Sequence, residues 1–210
     1  MILSYLTWLP VEAIKRTYLA TTQYARIPMS THLTKHYKSP NPAMNVHRQA
    51  EPIATDTVYA DVPAIDDGST CAQLFIGTDT LVADVYGMKT EKQFVNTLQD
   101  IIRRRGAHTG LISDRAQVEI SKRVLDLLRT FIISDWQSEP HQQHQNLCER
   151  RYQDIKGISN RIMDHRGSPP SLWLLALQYV CLVLNHVALQ SLGWIPPLQA
   201  LLGSTVDISP

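Results

Sequence analysis

Cysteine is scarce. The 210 residues hold three, Cys71, Cys148 and Cys181, too widely spaced for a disulfide framework, and no C-x-x-C occurs. A reducing compartment, nuclear or cytoplasmic, is expected. Long apolar runs are missing too: the most apolar stretch, Leu172 to Leu184, spans 13 residues and includes Gln178, whereas a bilayer crossing needs roughly 20. No membrane span is expected. The opening MILSYLTWLP is apolar but has no basic segment before it and no small-residue cleavage site after it, so secretion is not expected. Internal repeats and low-complexity tracts are absent. With 44% apolar and 19% charged residues the chain is not disordered throughout, and 23.8 kDa favours one main core plus an extension.

What charge there is lies unevenly. The net value of +1 is made of +5 over residues 1–50, −7 over 51–100 and +3 over 101–210. An acidic segment between basic ones suits a site where carboxylates hold a cation and basic residues meet a polyanion, though it equally describes solvated loops. His32 with His36, and His141 with His144, have spacings that could furnish half of a zinc site, but no cysteine lies near enough in sequence to complete either.

Residues 1–50 read as an arm or linker, with a short helix at Val11–Ala20 followed by the polar, Pro-containing stretch HYKSPNPAMNVHRQAEP. From residue 51 to 210 the pattern is that of a folded core. IATDTVYA, CAQLFIGT and LVADVYGM, rich in β-branched and aromatic residues and broken by the turn signal IDDGS, predict three antiparallel strands. Thr90 is a plausible N-cap for a helix through Phe94, Leu98, Ile101 and Ile102 that stops at Gly106. LIS predicts a short strand ending at Asp114, residues 119–129 a helix burying Val124, Leu127 and Leu128, and TFIIS a further strand. A long helix ending near Gly167 carries Tyr152, Ile155, Ile158 and Ile162 on one side, and an apolar helix over residues 172–189 follows the Pro169-Pro170 break. The order βββαβαβ, then helices, predicts an α/β fold with a mixed five-stranded sheet.

Three acids fall at informative places: Asp56 in the middle of the first strand, Asp114 at the end of the fourth, and Glu149 in the first turns of the long helix. Carboxylates converging from separate elements can hold Mg²⁺ or Mn²⁺, because such ions prefer hard oxygen ligands and keep positions open for phosphate. On the long helix Glu149, Gln153, Lys156 and Asn160 fall within about 60° of arc at 100° per residue, one polar stripe on which Lys156 could reach a phosphate. An exposed ion pair on a surface helix, and a turn cap at Asp114, are the plainer alternatives.

Together these residues resemble the catalytic core of retroviral and copia-like retrotransposon integrases, RNase H-like DDE polynucleotidyl transferases, over residues 53–210. HQQHQNLCERRYQDIK is similar to the family's P-x-Q-N-G-x-x-E-R segment, with Asn146, Glu149 and Arg150 matching and Pro140 just upstream, and LISDRAQ resembles the strand ending in the second acid. Thirty-four residues separate Asp114 from Glu149, one fewer than is usual in the family. PSLWLLALQYVCLVLNHV and PLQALLGSTVDIS resemble its later helix and tail. The resemblance implies an RNase H-like fold and metal-dependent DNA 3′-end processing and strand transfer. Asp56, Asp114 and Glu149 would be catalytic and metal-binding, and Asn146, Arg150, Gln153 and Lys156 would contact DNA. It also implies DNA as partner, a homo-oligomer, and a place within a longer polyprotein.

The chain also departs from the family. Asp114-Arg115-Ala116 stands where Asp-Asn-Gly is usual, and Leu147 replaces a glycine whose backbone freedom Leu lacks. Gly-Pro does not follow the first acid, and Asp61, Asp66 and Asp67 lie close after Asp56, which is preferred because the strand pattern centres on it. The His-His-Cys-Cys zinc module that usually precedes the core is not present. A catalytically inactive remnant that dimerises or binds nucleic acid is therefore the alternative reading.

Overall fold

The computed structural model describes residues 8–23, 39–113, 121–137 and 145–209; the side chains of 136–137 and 145–149 are not described. Two compact units result, one from residues 39–182 and the other from the described parts of 1–38 and 183–210.

In the larger unit β1 (Ile53–Tyr59), β2 (Cys71–Gly77), β3 (Ala83–Met88), β4 (Gly110–Ser113) and β5 (Ser134–Gln137) form a mixed sheet in the order β3-β2-β1-β4-β5. β1, β2 and β3 pair antiparallel, while β4 and β5 run parallel to β1. The predicted fold class holds, and the three hairpin strands begin or end within about two residues of where the β-branched pattern places them. Period-two alternation sends Ile53, Phe75, Met88 and Leu111 to one face. There they pack against Phe94, Leu98, Ile101 and Ile102 of α2 (Phe94–Arg105) and Val124 and Leu128 of α3 (Lys122–Thr130). α2 follows a short 3-10 turn at Glu91–Gln93, and the Thr90 side chain makes no cap bond; the helix ends at Gly106, whose φ of 109° needs glycine and whose absent side chain admits the His47 carbonyl.

β5 differs from the expectation at TFIIS. Thr130 continues α3, Phe131 and Ile132 turn, and the strand begins only at Ser134, with Ile132 exposed at φ 55°. The apolar run that signals a strand is thus spent on a helix end and a turn. The strap before β1, read from sequence as the end of an arm, is bonded to this unit. Ala107 N donates to His47 O (2.8 Å), Gln49 N to Ala107 O (2.9 Å) and Thr109 N to Glu51 O (3.1 Å). The Arg48 guanidinium donates to the Phe131 and Ile132 carbonyls. The buried Glu51 carboxylate accepts from Asp79 N (2.8 Å), Thr80 N (2.8 Å) and Thr80 Oγ1 (2.6 Å), which fixes the β2–β3 hairpin.

Two further helices are α4 (Gln145–Arg166) and α5 (Trp173–His186). No described helix is long and apolar enough to cross a membrane.

In the smaller unit α1 (Val11–Ala20) forms as expected and packs with residues near the C-terminus. Ala188 N donates to Thr17 Oγ1 (2.9 Å), Thr22 exchanges hydrogen bonds with Val206 and Ile208, and Arg16 lies over the Trp194 ring. α6 spans Pro197–Leu202.

Candidate active site on the central strand

β1 is the middle strand of the five, and Asp56 is the fourth of its seven residues. Alternation places Asp56, with Ala54 and Val58, on the face opposite the α2–α3 core. Across the ladder it stands beside Leu74 of β2, which stands beside Val85 of β3. This face is covered by helices: α4 lies against β2, and a Cβ at Gly87 of β3 would meet Leu174 of α5 at 2.6 Å. Asp56 is nevertheless exposed, and its Oδ1 accepts from Thr57 N at 2.8 Å.

The charge on Asp56 is felt across to α4. Burial first, and then the Asp56 carboxylate, hold the half-buried Tyr152 phenol above its ordinary value. Deeper in the same layer Arg151 is buried, which by itself works against its charge, while Cys181 and Asp154 favour it. Cys181 of α5 is pushed up to about 12 by burial and by Asp84, with Arg151 acting the other way. Sequence reasoning assigned no role to Tyr152 beyond the apolar side of α4, and none to Arg151. The signal for Arg151 was its angular position in the centre of the apolar arc; for Tyr152 it was a place at the border between the apolar arc and the polar stripe.

The stripe itself lies open. Gln153, Lys156 and Asn160 are exposed, as is Arg150 beside the stripe, while Ile155 and Ser159 on the other side of α4 are buried. Glu149 and Asn146 sit in the first turns of α4, but their side chains are outside the described set, and Asp114 lies outside the described residues altogether. His32, His36, His141 and His144 also lie outside them. Among the described residues no three His, Cys, Asp or Glu side chains converge as a metal site.

The competing acids near Asp56 occupy the β1–β2 loop. Asp61 and Asp66 are exposed there. Asp67 is committed to the turn: its Oδ1 accepts from Ser69 N (2.8 Å) and its Oδ2 from Ser69 Oγ (2.7 Å). Burial opposes the ionised form of Asp67, but these bonds and Lys89 outweigh it and hold the carboxyl below its ordinary value.

For a hard divalent cation, Asp56 is a suitable donor: an exposed carboxylate on the strand at the centre of the sheet. Soft or nitrogen ligands are not part of the candidate set.

No protein-family model matches the chain, and no curated protein does. Solved structures do. The catalytic core domain of BIV integrase is similar at 16% identity and a TM-score of 0.59, covering 73% of this chain and 95% of that domain. The HTLV-2 integrase catalytic core domain in complex with magnesium, in its trimeric form, gives 15% identity, a TM-score of 0.56 and coverage of 72% and 95%. A simian T-cell lymphotropic virus intasome in complex with PP2A regulatory subunit B56 gamma gives 11% and 0.57, covering 78% of this chain and 60% of that one. At such identities the likeness is one of architecture: this chain has the RNase H-like fold of retroviral integrase catalytic core domains.

Proposed function

We propose that the chain is an integrase-type polynucleotidyl transferase of the copia-like retrotransposon kind, acting on DNA in 3′-end processing and strand transfer. The observation that carries this reading is the position of Asp56: mid-strand, central in the sheet, exposed on the α4 face, with its charge reaching Tyr152 one turn beyond Glu149. The β1–β4 register supports it. β4, which runs parallel beside β1 with Ala54 opposite Ile112, ends at Ser113, one residue before Asp114 in the sequence.

In this reading Asp56, Asp114 and Glu149 hold Mg²⁺ or Mn²⁺, a use consistent with the magnesium complex of the HTLV-2 domain. The bound ion would supply charge stabilisation for in-line displacement at a phosphodiester. The chain's part is to keep the carboxylates ionised and close together, and to set the substrate with the open stripe of α4. Arg150 and Lys156 would meet phosphate charge, and Asn146 and Gln153 would hydrogen-bond the strand. Water serves as nucleophile in end trimming and a DNA 3′-hydroxyl in strand transfer.

Residues 51–210 form the transferase core in this account, and 1–50 the arm that enters it. A homo-oligomer acting on DNA inside the cell, nuclear or cytoplasmic, completes the proposal; the exposed Leu175 and Leu182, seven residues apart on α5, offer an apolar face for it.

The test is a strand-transfer assay on oligonucleotide DNA with Mg²⁺ or Mn²⁺, using Glu149→Gln as control. Loss of activity by orders of magnitude in the variant is expected; equal activity would refute the site. Arg115, Ala116 and Leu147, in place of more flexible residues, favour the second reading, an inactive remnant that binds nucleic acid. A wild-type protein that binds DNA but no Mg²⁺ would establish that reading instead.

A further inference from the structure

α4 carries a glycine that its own fold does not explain. Gly157 stands well inside the 22-residue helix Gln145–Arg166, where glycine is a poorer helix former than alanine or any other residue but proline. Gly87 and Gly106 leave no room for a side chain, since a Cβ there would run into Leu174 and the His47 carbonyl. Gly157 is different. Among the described residues an added Cβ would meet no atom within 4 Å, and its φ is not positive. The side chain is missing where neither the backbone nor a described neighbour requires it.

Its surroundings are basic. At 100° per residue Arg150, two turns earlier, and Arg161, one turn later, fall within about 40° of Gly157, with Gln153 and Asn160 toward the polar stripe. All four are exposed. Arg161 Nε donates to the Gly157 carbonyl at 3.2 Å, which folds the guanidinium back along the bare turn. Among the described residues Arg150, Lys156 and Arg161 form no salt bridge. The exposed acids of this surface are Asp154, about 60° aside, and Asp164, two turns beyond and in line with Gly157. A flat spot between two such guanidiniums admits a sugar-phosphate backbone closer to the helix than any side chain would allow, and Asp164 repels it from the last turn. We propose that Gly157 is the point where the DNA strand comes closest to α4, with Arg161 as a further phosphate contact that carries the track of Arg150 and Gln153 into the second half of the helix; this rests on the reading of α4 as the DNA-bearing face given above.

The experiment is fluorescence anisotropy of a labelled DNA duplex titrated with the full chain at several salt concentrations. Wild type is compared with Gly157→Ala, Gly157→Gln, Arg161→Ala and Lys156→Ala, with thermal unfolding and sedimentation velocity of each. Both glycine substitutions are expected to raise Tm by about 1–4 °C, as better helix formers with room for their side chains. Both are nevertheless expected to weaken DNA binding, Gly157→Gln by about tenfold, the equivalent of one lost charge-assisted contact, and Gly157→Ala by less. Arg161→Ala should reduce the slope of log affinity against log salt by about 0.9. Unchanged affinity in Gly157→Gln would overturn the close approach, and so would a fall in Tm, by showing that the fold itself needs the glycine. Altered self-association with unaltered DNA binding would overturn it as well, assigning the bare turn to a protein contact. A wild type that binds no DNA removes the reading of α4 and this proposal together, whereas binding weakened by Lys156→Ala but by no change at Gly157 or Arg161 removes this proposal alone.

Discussion

On the α2–α3 face of the sheet, two polar side chains withdrawn from water, Gln73 and Asp84, are answered within the same layer, whereas the Tyr86 hydroxyl has no hydrogen-bond partner among the described residues. Gln73 is completely buried, yet its amide donates to Thr55 Oγ1 and its carbonyl accepts from Thr57 Oγ1 at 2.8 Å. Asp84 is held by Arg105 through two bonds, at 2.7 and 3.0 Å, with Arg104 at 3.6 Å. Around them Phe75, Phe94 and Tyr86 pack ring on ring. The α4–α5 face is arranged otherwise: Asp56 is exposed, and Tyr152, Arg151 and Cys181 are drawn partly or wholly from water with their ionisation disfavoured by burial. Groups perturbed by burial occur on both sides, Tyr86 and His108 among them on the first; what differs is the acid, Asp84 being held in a buried ion pair while Asp56 stands exposed.

Two substitutions of the same kind break this comparison if it is wrong. Asp84→Asn leaves Arg105 buried without its counter-charge, and is expected to lower unfolding free energy by about 3–5 kcal/mol in urea denaturation. Asp56→Asn removes an exposed charge and is expected to change stability by no more than about 0.5 kcal/mol. Metal titration should reverse the ranking, with binding retained in folded Asp84→Asn and lost in Asp56→Asn. If Asp56→Asn proves the more destabilising of the two, the division of labour between the two acids fails.

A second prediction concerns acid. His108 is 4% exposed beneath the strap, and burial, the largest influence, lowers its pKa to about 4; the Glu51 carbonyl and Asp84 favour its proton, while Arg105 and Arg48 oppose it. The ring is therefore neutral in the folded protein until the pH nears 4. The unfolded chain takes up that proton at the ordinary value near 6.5, so it binds more protons than the folded chain between these limits. Stability is expected to fall as pH drops through that window, by about 3 kcal/mol in all, and His108 should contribute no slope above it. Urea midpoints measured from pH 7 to 4 check this; His108→Gln should flatten the decline, and an unchanged slope in that variant would assign it to other groups.

Neither His108 nor Glu51 announced its role in the sequence, because both depend on contacts made far along the chain. The Glu51 carboxylate reaches residues 79 and 80, and no local period encodes such a reach. The hairpin strands and α2 were legible because their alternation and spacing are local: Ile53, Phe75 and Met88 fall to one face by period two, and Phe94, Leu98, Ile101 and Ile102 to one side by period 3.6. At the candidate site the strand pattern suffices to centre Asp56 on β1. The electrostatic influence of Asp56 on Tyr152 was hidden, since it joins a strand to a helix nearly a hundred residues later.

The misread strand at TFIIS yields the smallest effect and the most local test. Three apolar residues in a row, Phe131, Ile132 and Ile133, look like a buried strand, but only Ile133 is buried. Ile132 is 66% exposed and sits at φ 55°, where a β-branched side chain crowds the backbone. The turn is held by Arg48, whose guanidinium bonds the carbonyls of Phe131 and Ile132 and so fixes where β5 starts. Relief of the left-handed strain is worth about 1–2 kcal/mol, against about 0.5–1 kcal/mol for the added freedom of glycine in the unfolded chain. Ile132→Gly is therefore expected to raise the urea midpoint by an amount equivalent to about 0.5–1 kcal/mol, with no effect on metal titration. A destabilised Ile132→Gly would mean that the isoleucine side chain contributes packing that outweighs its backbone strain, and the start of β5 would then be set by that side chain as well as by the Arg48 clamp.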